Sequence, residues 1–201
     1  YNGAVLVTEK RASTPLIDAS TVERCSIICP GVGVVYSGMG PDARVLVLKS
    51  RKQAVQYARQ FGHPPPVITV VKDLAKVMQE YTQSGGVRPF GVSLLVIGRD
   101  GDHQTALYQV DPSGAYFAWS ATAIGKNSQN VRSFLEKRYV AVTDTENLFE
   151  IEDAIHLGLL GLKEVFEGKM DATNVQVAVV DAKGEFRILT EAELIDYTAG
   201  L

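Results

Sequence analysis

Apolar and polar positions along the chain fall into two kinds of block: helical stripes and near-continuous or alternating runs. Val70, Leu74, Val77, Met78 and Tyr81 stand at i, i+4, i+7, i+8 and i+11, one face of a helix over 67–83. Ser84-Gly85-Gly86 stops it, since glycine reaches the left-handed C-cap conformation without steric cost. Pro89 then pushes Arg88 into an extended conformation. Residues 90–97 are almost wholly apolar, which predicts a strand buried on both faces. The seam 82–95 therefore turns a helical layer onto a sheet covered on both sides.

The other blocks arrange themselves around that seam. Residues 4–7 form a short apolar run after the turn pair Asn2-Gly3, so the chain reads as opening in mid-hairpin with the first strand's partner missing. Residues 8–11 are polar, Ser13-Thr14-Pro15 is a loop, and 22–28 and 32–37 are two strands about Cys29-Pro30-Gly31. Pro41 and Asp42 mark a helix N-terminus. That helix runs to about Phe61 with Leu48, Val55, Ala58 and Phe61 on one face, while Arg44, Lys49, Arg51, Lys52 and Arg59 are a solvated basic face. His63-Pro64-Pro65-Pro66 ends it. After the seam, 90–99 and 105–110 flank the hairpin turn Asp100-Gly101-Asp102, and 115–119 and 121–124 are further short extended runs. Gly125-Lys126-Asn127 opens a third helix with Val131, Phe134 and Leu135 inward, and 143–147 is a polar connection. A fourth helix over 150–167 places Ile151, Ile155, Leu159, Leu162 and Phe166 together. A hairpin of 175–180 and 186–189 about Ala182-Lys183-Gly184 follows, and Thr190 with Glu193 forms a capping box for a last helix. Paired helices between blocks of antiparallel strands predict an α+β fold of two face-to-face sheets with helices outside each; a doubly wound sheet would alternate single helices with parallel strands.

The 201 residues are 46% hydrophobic and 21% charged, with a formal net charge of −3. That suits one globular domain with a substantial core, and the mild, mixed charge advertises no nucleic-acid surface. No apolar run is long enough to span a bilayer, so no membrane partner is expected. The opening Tyr-Asn-Gly-Ala-Val-Leu-Val lacks the regions of a secretory signal, and the two cysteines make no disulfide framework, so a reducing intracellular compartment is expected.

Few side chains suggest chemistry by themselves. Gly31-Val-Gly33 and Gly38-Met-Gly40 do not complete a dinucleotide-binding loop, and the first leads into a strand. Cys25 and Cys29 are expected as buried free thiols. His63, His103 and His156 are scattered and read as structural or surface residues; Tyr116 and Trp119 read as core or interface. No metal or cofactor is expected.

The seam carries a further signal. Gly86-Val-Arg-Pro-Phe-Gly91 after Gln79-Glu-Tyr-Thr-Gln-Ser84 resembles the signature of proteasome alpha-type subunits. In matching order and spacing come Tyr36-Ser-Gly-Met-Gly-Pro-Asp-Ala-Arg-Val-Leu-Val47, Asp111-Pro-Ser-Gly114, Ala121-Thr-Ala-Ile-Gly125, Phe134-Leu-Glu-Lys-Arg-Tyr139 and Glu152-Asp-Ala-Ile155. Phe117-Ala-Trp-Ser-Ala-Thr122 and Gln83-Ser-Gly-Gly-Val87 resemble the eukaryotic type-2 branch. The resemblance implies a four-layer αββα sandwich of N-terminal-nucleophile hydrolase type: two antiparallel sheets between helix layers. It makes 1–201 a single alpha-type domain without the short helix and strand with which the family begins. That segment supplies the family's channel gate and much of its ring contact. The family's link before Glu-Asp-Ala-Ile is lengthened around 140–149, where an extra surface loop is expected.

The catalytic relatives of this family use a free N-terminal threonine activated by its own amine. By the same resemblance, Glu9 stands where they carry an orienting aspartate. Arg24 stands at their tuning lysine, and its guanidinium cannot act as a base. Lys126, between Gly125 and Asn127, stands at a small serine. The implied role is a non-catalytic subunit of the outer alpha ring of the 20S core particle, in cytoplasm and nucleus, beside neighbouring alpha subunits and above a beta ring. Regulatory particles would dock by their C-terminal tails, and the family's tail-binding lysine aligns with Arg24 and its pocket wall with Met39 and Gly40. Two rivals follow from the same residues: an active threonine hydrolase whose nucleophile lies in a missing N-terminus, and a free-standing small-molecule binder.

Overall fold

The computed structural model describes residues 3–11, 14, 16–18, 21–101, 104–143 and 150–199, with side chains described throughout except at 140–143. The chain runs β1 (Ala4–Glu9), β2 (Cys25–Cys29), β3 (Val32–Gly38), α1 (Gly40–Phe61), α2 (Val67–Gln83), β4 (Val92–Arg99), β5 (Thr105–Val110), β6 (Tyr116–Trp119), α3 (Ser128–Thr143), α4 (Ile151–Lys163), β7 (Val175–Val180), β8 (Phe186–Ile188) and α5 (Glu191–Thr198). The strands form two antiparallel sheets, β1-β7-β8 and β2-β3-β4-β5-β6.

Three apolar cores separate four layers, as the αββα expectation requires. Leu46, Val70, Val71, Leu74, Met78, Val34, Leu94 and Val96 join α1 and α2 to one face of the five-stranded sheet. Leu6, Cys25, Val35, Leu95, Ile97, Ala178 and Val180 fill the space between the sheets. Ile155, Leu159, Val175, Val177, Val179 and Leu194 join α4 and α5 to the outer face of the three-stranded sheet. Alternate residues of β4 thus serve two cores, Leu94 and Val96 one and Leu95 and Ile97 the other, which is why residues 94–97 are apolar without a break. Thr190 and Glu193 form the expected capping box of α5, and Glu150 and Asp153 form one at α4.

Several expectations are corrected. Residues 4–7 do have a partner: β1 extends through Glu9 and pairs with β7 from Ala4↔Val180 to Glu9↔Val175, leaving only its other edge without a strand among the described residues. The inward face of α1 is not the one containing Leu48, Val55 and Phe61, which are 57%, 52% and 52% exposed. Asp42, Ala43, Leu46, Val47, Ser50 and Ala54 are buried instead. The helix carries two apolar stripes, and periodicity cannot rank them; the face with small residues permits close approach to the sheet, and Asp42 is tied inward. The basic residues of α1 are not uniformly solvated either. Lys49 Nζ lies 3.1 Å from Tyr81 Oη, and Arg51 Nε donates to the Ile27 carbonyl at 2.8 Å. Residues 121–124 are not a strand, α4 ends at Lys163, and Ser84 caps α2 in an extended conformation while Gly86 takes the positive φ of 79°. Tyr116 and Trp119 lie outside the core, on the exposed edge strand β6. His103, Asp102 and residues 144–149 of the expected surface loop lie outside the described residues; 140–143 continue α3.

Candidate functional site

The residues of the seam and of the α1 N-terminus meet at one corner. Gly38, at φ 119°, ends β3, and Met39 N–H donates to the Gly91 carbonyl at 2.9 Å. A Cβ on Gly38 would lie 2.3 Å from that same carbonyl oxygen, so the two backbones can come this close only with glycine there. The Asp42 carboxylate, in the first turn of α1, accepts both Arg88 guanidinium nitrogens at 2.7 and 2.9 Å and the Gly91 N–H at 2.9 Å. The Asp42 side chain is 11% exposed and that of Arg88 60%. The Arg88 hydrogen bond, with the Gly91 N–H behind it, lowers the Asp42 pKa from 3.8 to about 2. The Gly-Val-Arg-Pro-Phe-Gly stretch is therefore a clamp that fixes the start of α1 against the start of β4.

Arg24 lies one residue ahead of β2 and, beyond the Cys25↔Val35 pair, opposite Tyr36. Its guanidinium sits 5.1 Å from the centroid of the Tyr36 ring. The Tyr36 hydroxyl in turn reaches Gly40, where a Cβ would stand 3.1 Å from it. Met39, 48% exposed, follows in the same turn. Arg24, Met39 and Gly40 are thus brought onto one surface, linked through Tyr36. Arg24 makes no ion pair with Glu9 or Glu23 among the described residues, and its Nε is buried without a hydrogen-bond partner.

A cavity of about 1410 Å³ opens behind Arg24, between β1, the β6–α3 connection and the α3–α4 pair. Glu9, Arg24 and Lys126 all line it, as do Tyr36 and Ser37; no histidine or cysteine does so among the described residues. Lys126 Nζ is bound to Glu167 Oε1 at 2.7 Å, and Arg11 approaches the other oxygen at 3.6 Å. Lys126 first, then Arg11, holds the Glu167 carboxyl below its usual range. An ion-paired lysine and a guanidinium offer no base to a hydroxyl. The thiols are free: burial pushes Cys25 up to about 12 and Cys29 to about 11, away from nucleophilic use. His63 and His156 are exposed, and neither lines the cavity.

Proteins of known family resolve what the corner belongs to. The family described as proteasome subunit matches residues 1–180. The chain belongs to the proteasome subunit family. It is 54% identical over 198 residues to proteasome subunit alpha type-2-A of Arabidopsis thaliana, an alignment covering 98% of this chain and 81% of that protein. It is 51% identical to proteasome subunit alpha type-2 of Dictyostelium discoideum, over 100% of this chain and 83% of that one. It is 51% identical to the alpha type-2 subunit of Drosophila melanogaster, over 100% and 82%. Within this proteasome family member, Tyr36, Arg88 and Gln176 are structural partners of the candidate site that sequence reasoning did not single out. Asp42 and Arg88 both stood in quoted motifs, but nothing in a linear reading joins residues so far apart. Gln176 is a polar position in an otherwise apolar strand, a signal that was present and unused.

Proposed function

We propose that this chain is a non-catalytic structural subunit of the outer alpha ring of the 20S proteasome core particle, built as one alpha-type domain. The observation that carries this is identity above one half, over nearly the whole chain, to proteins named alpha type-2. The ion-paired Lys126 and the guanidinium of Arg24 in the cavity support a non-catalytic role, and the threonine-hydrolase rival gains no support from the relatives. The subunit would sit beside neighbouring alpha subunits and on a beta ring, in cytoplasm and nucleus, without nucleic-acid or membrane partners. The net charge of −3 supports the first exclusion, and among the described residues no helix is long and apolar enough to cross a membrane. Affinity purification of the tagged chain under native conditions should recover other alpha-type and beta-type subunits in stoichiometric amounts. Recovery of the chain alone would overturn the proposal.

Within that role we propose Arg24, Met39 and Gly40 as the receptor for the C-terminal tail of a regulatory particle. Supporting this, the Arg24 cation rests on Tyr36 without a carboxylate partner among the described residues, where it can take a terminal carboxylate through two hydrogen bonds. Met39 offers an adaptable apolar contact, and Gly40 a close backbone approach. A charge-assisted hydrogen bond contributes roughly 1.5–3 kcal/mol, about one to two powers of ten in affinity. Arg24→Ala in assembled particles should weaken capture of a tail peptide at this pocket by that factor. Unchanged capture with an intact ring removes Arg24 from the role.

A further inference from the structure

Gln176 is the polar exception in β7, between Val175 and Val177, both in the core of the α4–α5 side. It pairs with Thr8 in the β1–β7 ladder, and its side chain points away from that core toward the other sheet. There Oε1 accepts two backbone hydrogen bonds, from Arg24 N–H at 3.0 Å and from Cys25 N–H at 2.9 Å. Two N–H donors converging on one atom fix which end of the amide faces them, because only the oxygen can accept. The β2–β3 ladder begins at Cys25, and the Arg24 N–H ahead of it is taken by Gln176 Oε1. Cys25 is 1% exposed, so water cannot replace the acceptor at its N–H. The guanidinium then leaves this anchored backbone to lie over Tyr36.

We propose that Gln176 is a positioning residue for the carboxylate receptor: its amide oxygen pins the backbone of Arg24 and so aims the guanidinium at an incoming C-terminal carboxylate. This rests on the reading of Arg24 given above. The linkage is specific to one sheet-to-sheet contact. Tyr36 limits where the guanidinium can lie, and Gln176 fixes the Cα from which it starts. Loss of the oxygen frees the backbone on both sides of Arg24 and lets the side chain sample positions that a carboxylate must reorganise.

The test uses assembled core particles containing this subunit and a regulatory-particle tail peptide carrying a photo-crosslinker. Capture on this subunit alone is read by mass spectrometry, for the free-acid peptide and for its C-terminal amide. Gln176→Met keeps side-chain length and removes the acceptor. It should cut free-acid capture by about tenfold, the worth of roughly one net hydrogen bond, while leaving amide capture unchanged. In the Arg24→Ala background it should add nothing. Amide exchange at residues 24 and 25 should quicken. A residue that acted only on general stability would lower acid and amide capture together. Should the methionine variant fail to assemble, Gln176→Asn, which withdraws the oxygen by one methylene, reads the same ratio. If Arg24→Ala collapses the acid-to-amide ratio but neither Gln176 variant does, the positioning role is overturned and the receptor stands. If Arg24→Ala leaves the ratio intact, both fall.

Discussion

Replacing Asp42 by Asn tests the clamp that builds the corner. The wild-type carboxylate accepts three hydrogen bonds, two from Arg88 and one from the Gly91 N–H. Asparagine keeps the shape and one acceptor oxygen, so it can still hold Gly91 but turns an amide donor toward the guanidinium. The carboxyl pKa falls from 3.8 to about 2 on folding. By linkage that displacement corresponds to at most about 2.5 kcal/mol of stability at neutral pH. The guanidinium is 60% exposed, and solvent screens its share, so a loss of about 1.5–2 kcal/mol is expected. The sign follows from the direction of the shift. A carboxyl whose folded pKa is depressed stabilises fully above its unfolded value, here about pH 4, and loses that contribution as pH falls through about 2. Urea unfolding followed by circular dichroism, repeated from pH 7 down to pH 2, reads both features. Asp42→Asn should lower the unfolding free energy at pH 7 by the stated amount, and the gap should close between pH 4 and 2. At pH 7 the thermal midpoint should fall by roughly 3–8 °C, given about 2–4 °C per kcal/mol for a chain of this size. A gap that persists unchanged at pH 2, or one below about 0.5 kcal/mol at pH 7, would refute the clamp as a stabilising pair.

The backbone contact beside the clamp should be less forgiving. Gly38→Ala forces a side chain onto a φ of 119° and a Cβ to 2.3 Å from the Gly91 oxygen; it should cost about 1–3 kcal/mol or more, and a midpoint within 1 °C of wild type would show that β3 can end otherwise. The isolated chain should not turn over fluorogenic peptides, and turnover that co-purifies with the chain and resists removal of contaminating proteases would restore the hydrolase reading. The edge of β1 that has no strand beside it among the described residues should make the isolated chain self-associate with rising concentration, since open strand edges recruit other chains; a single monomer boundary in sedimentation across that range would speak against it.

Sequence made the layers legible because each strand and helix carries its own period. β4 is apolar on both sides and proved to serve two cores; α2 has one dominant stripe, and Val70, Leu74 and Met78 are buried as that stripe requires. α1 has two stripes, and its rotation is set by a long-range tie, Asp42 to Arg88, that no local window contains. Residues 121–124 have strand-like composition but no neighbouring strand to pair with among the described residues, so composition alone misled. At the site, Arg24, Met39 and Gly40 came from resemblance to a family, not from chemistry visible along the chain. The elements that give them a geometry, the Tyr36 ring and the Gln176 oxygen, act across strands and sheets. Such contacts depend on register and on sheet packing, which become available only once both sheets exist.

The central claim is a place in the alpha ring, and electron microscopy of particles purified through this chain tests it most directly. With a tag visible on the chain, the account predicts barrel-shaped core particles bearing the tag on the outer rings. The corner formed by Arg24, Tyr36 and Met39 should lie on the face that regulatory particles cover. A tag on the inner rings, or a chain recovered without any core particle, would contradict it.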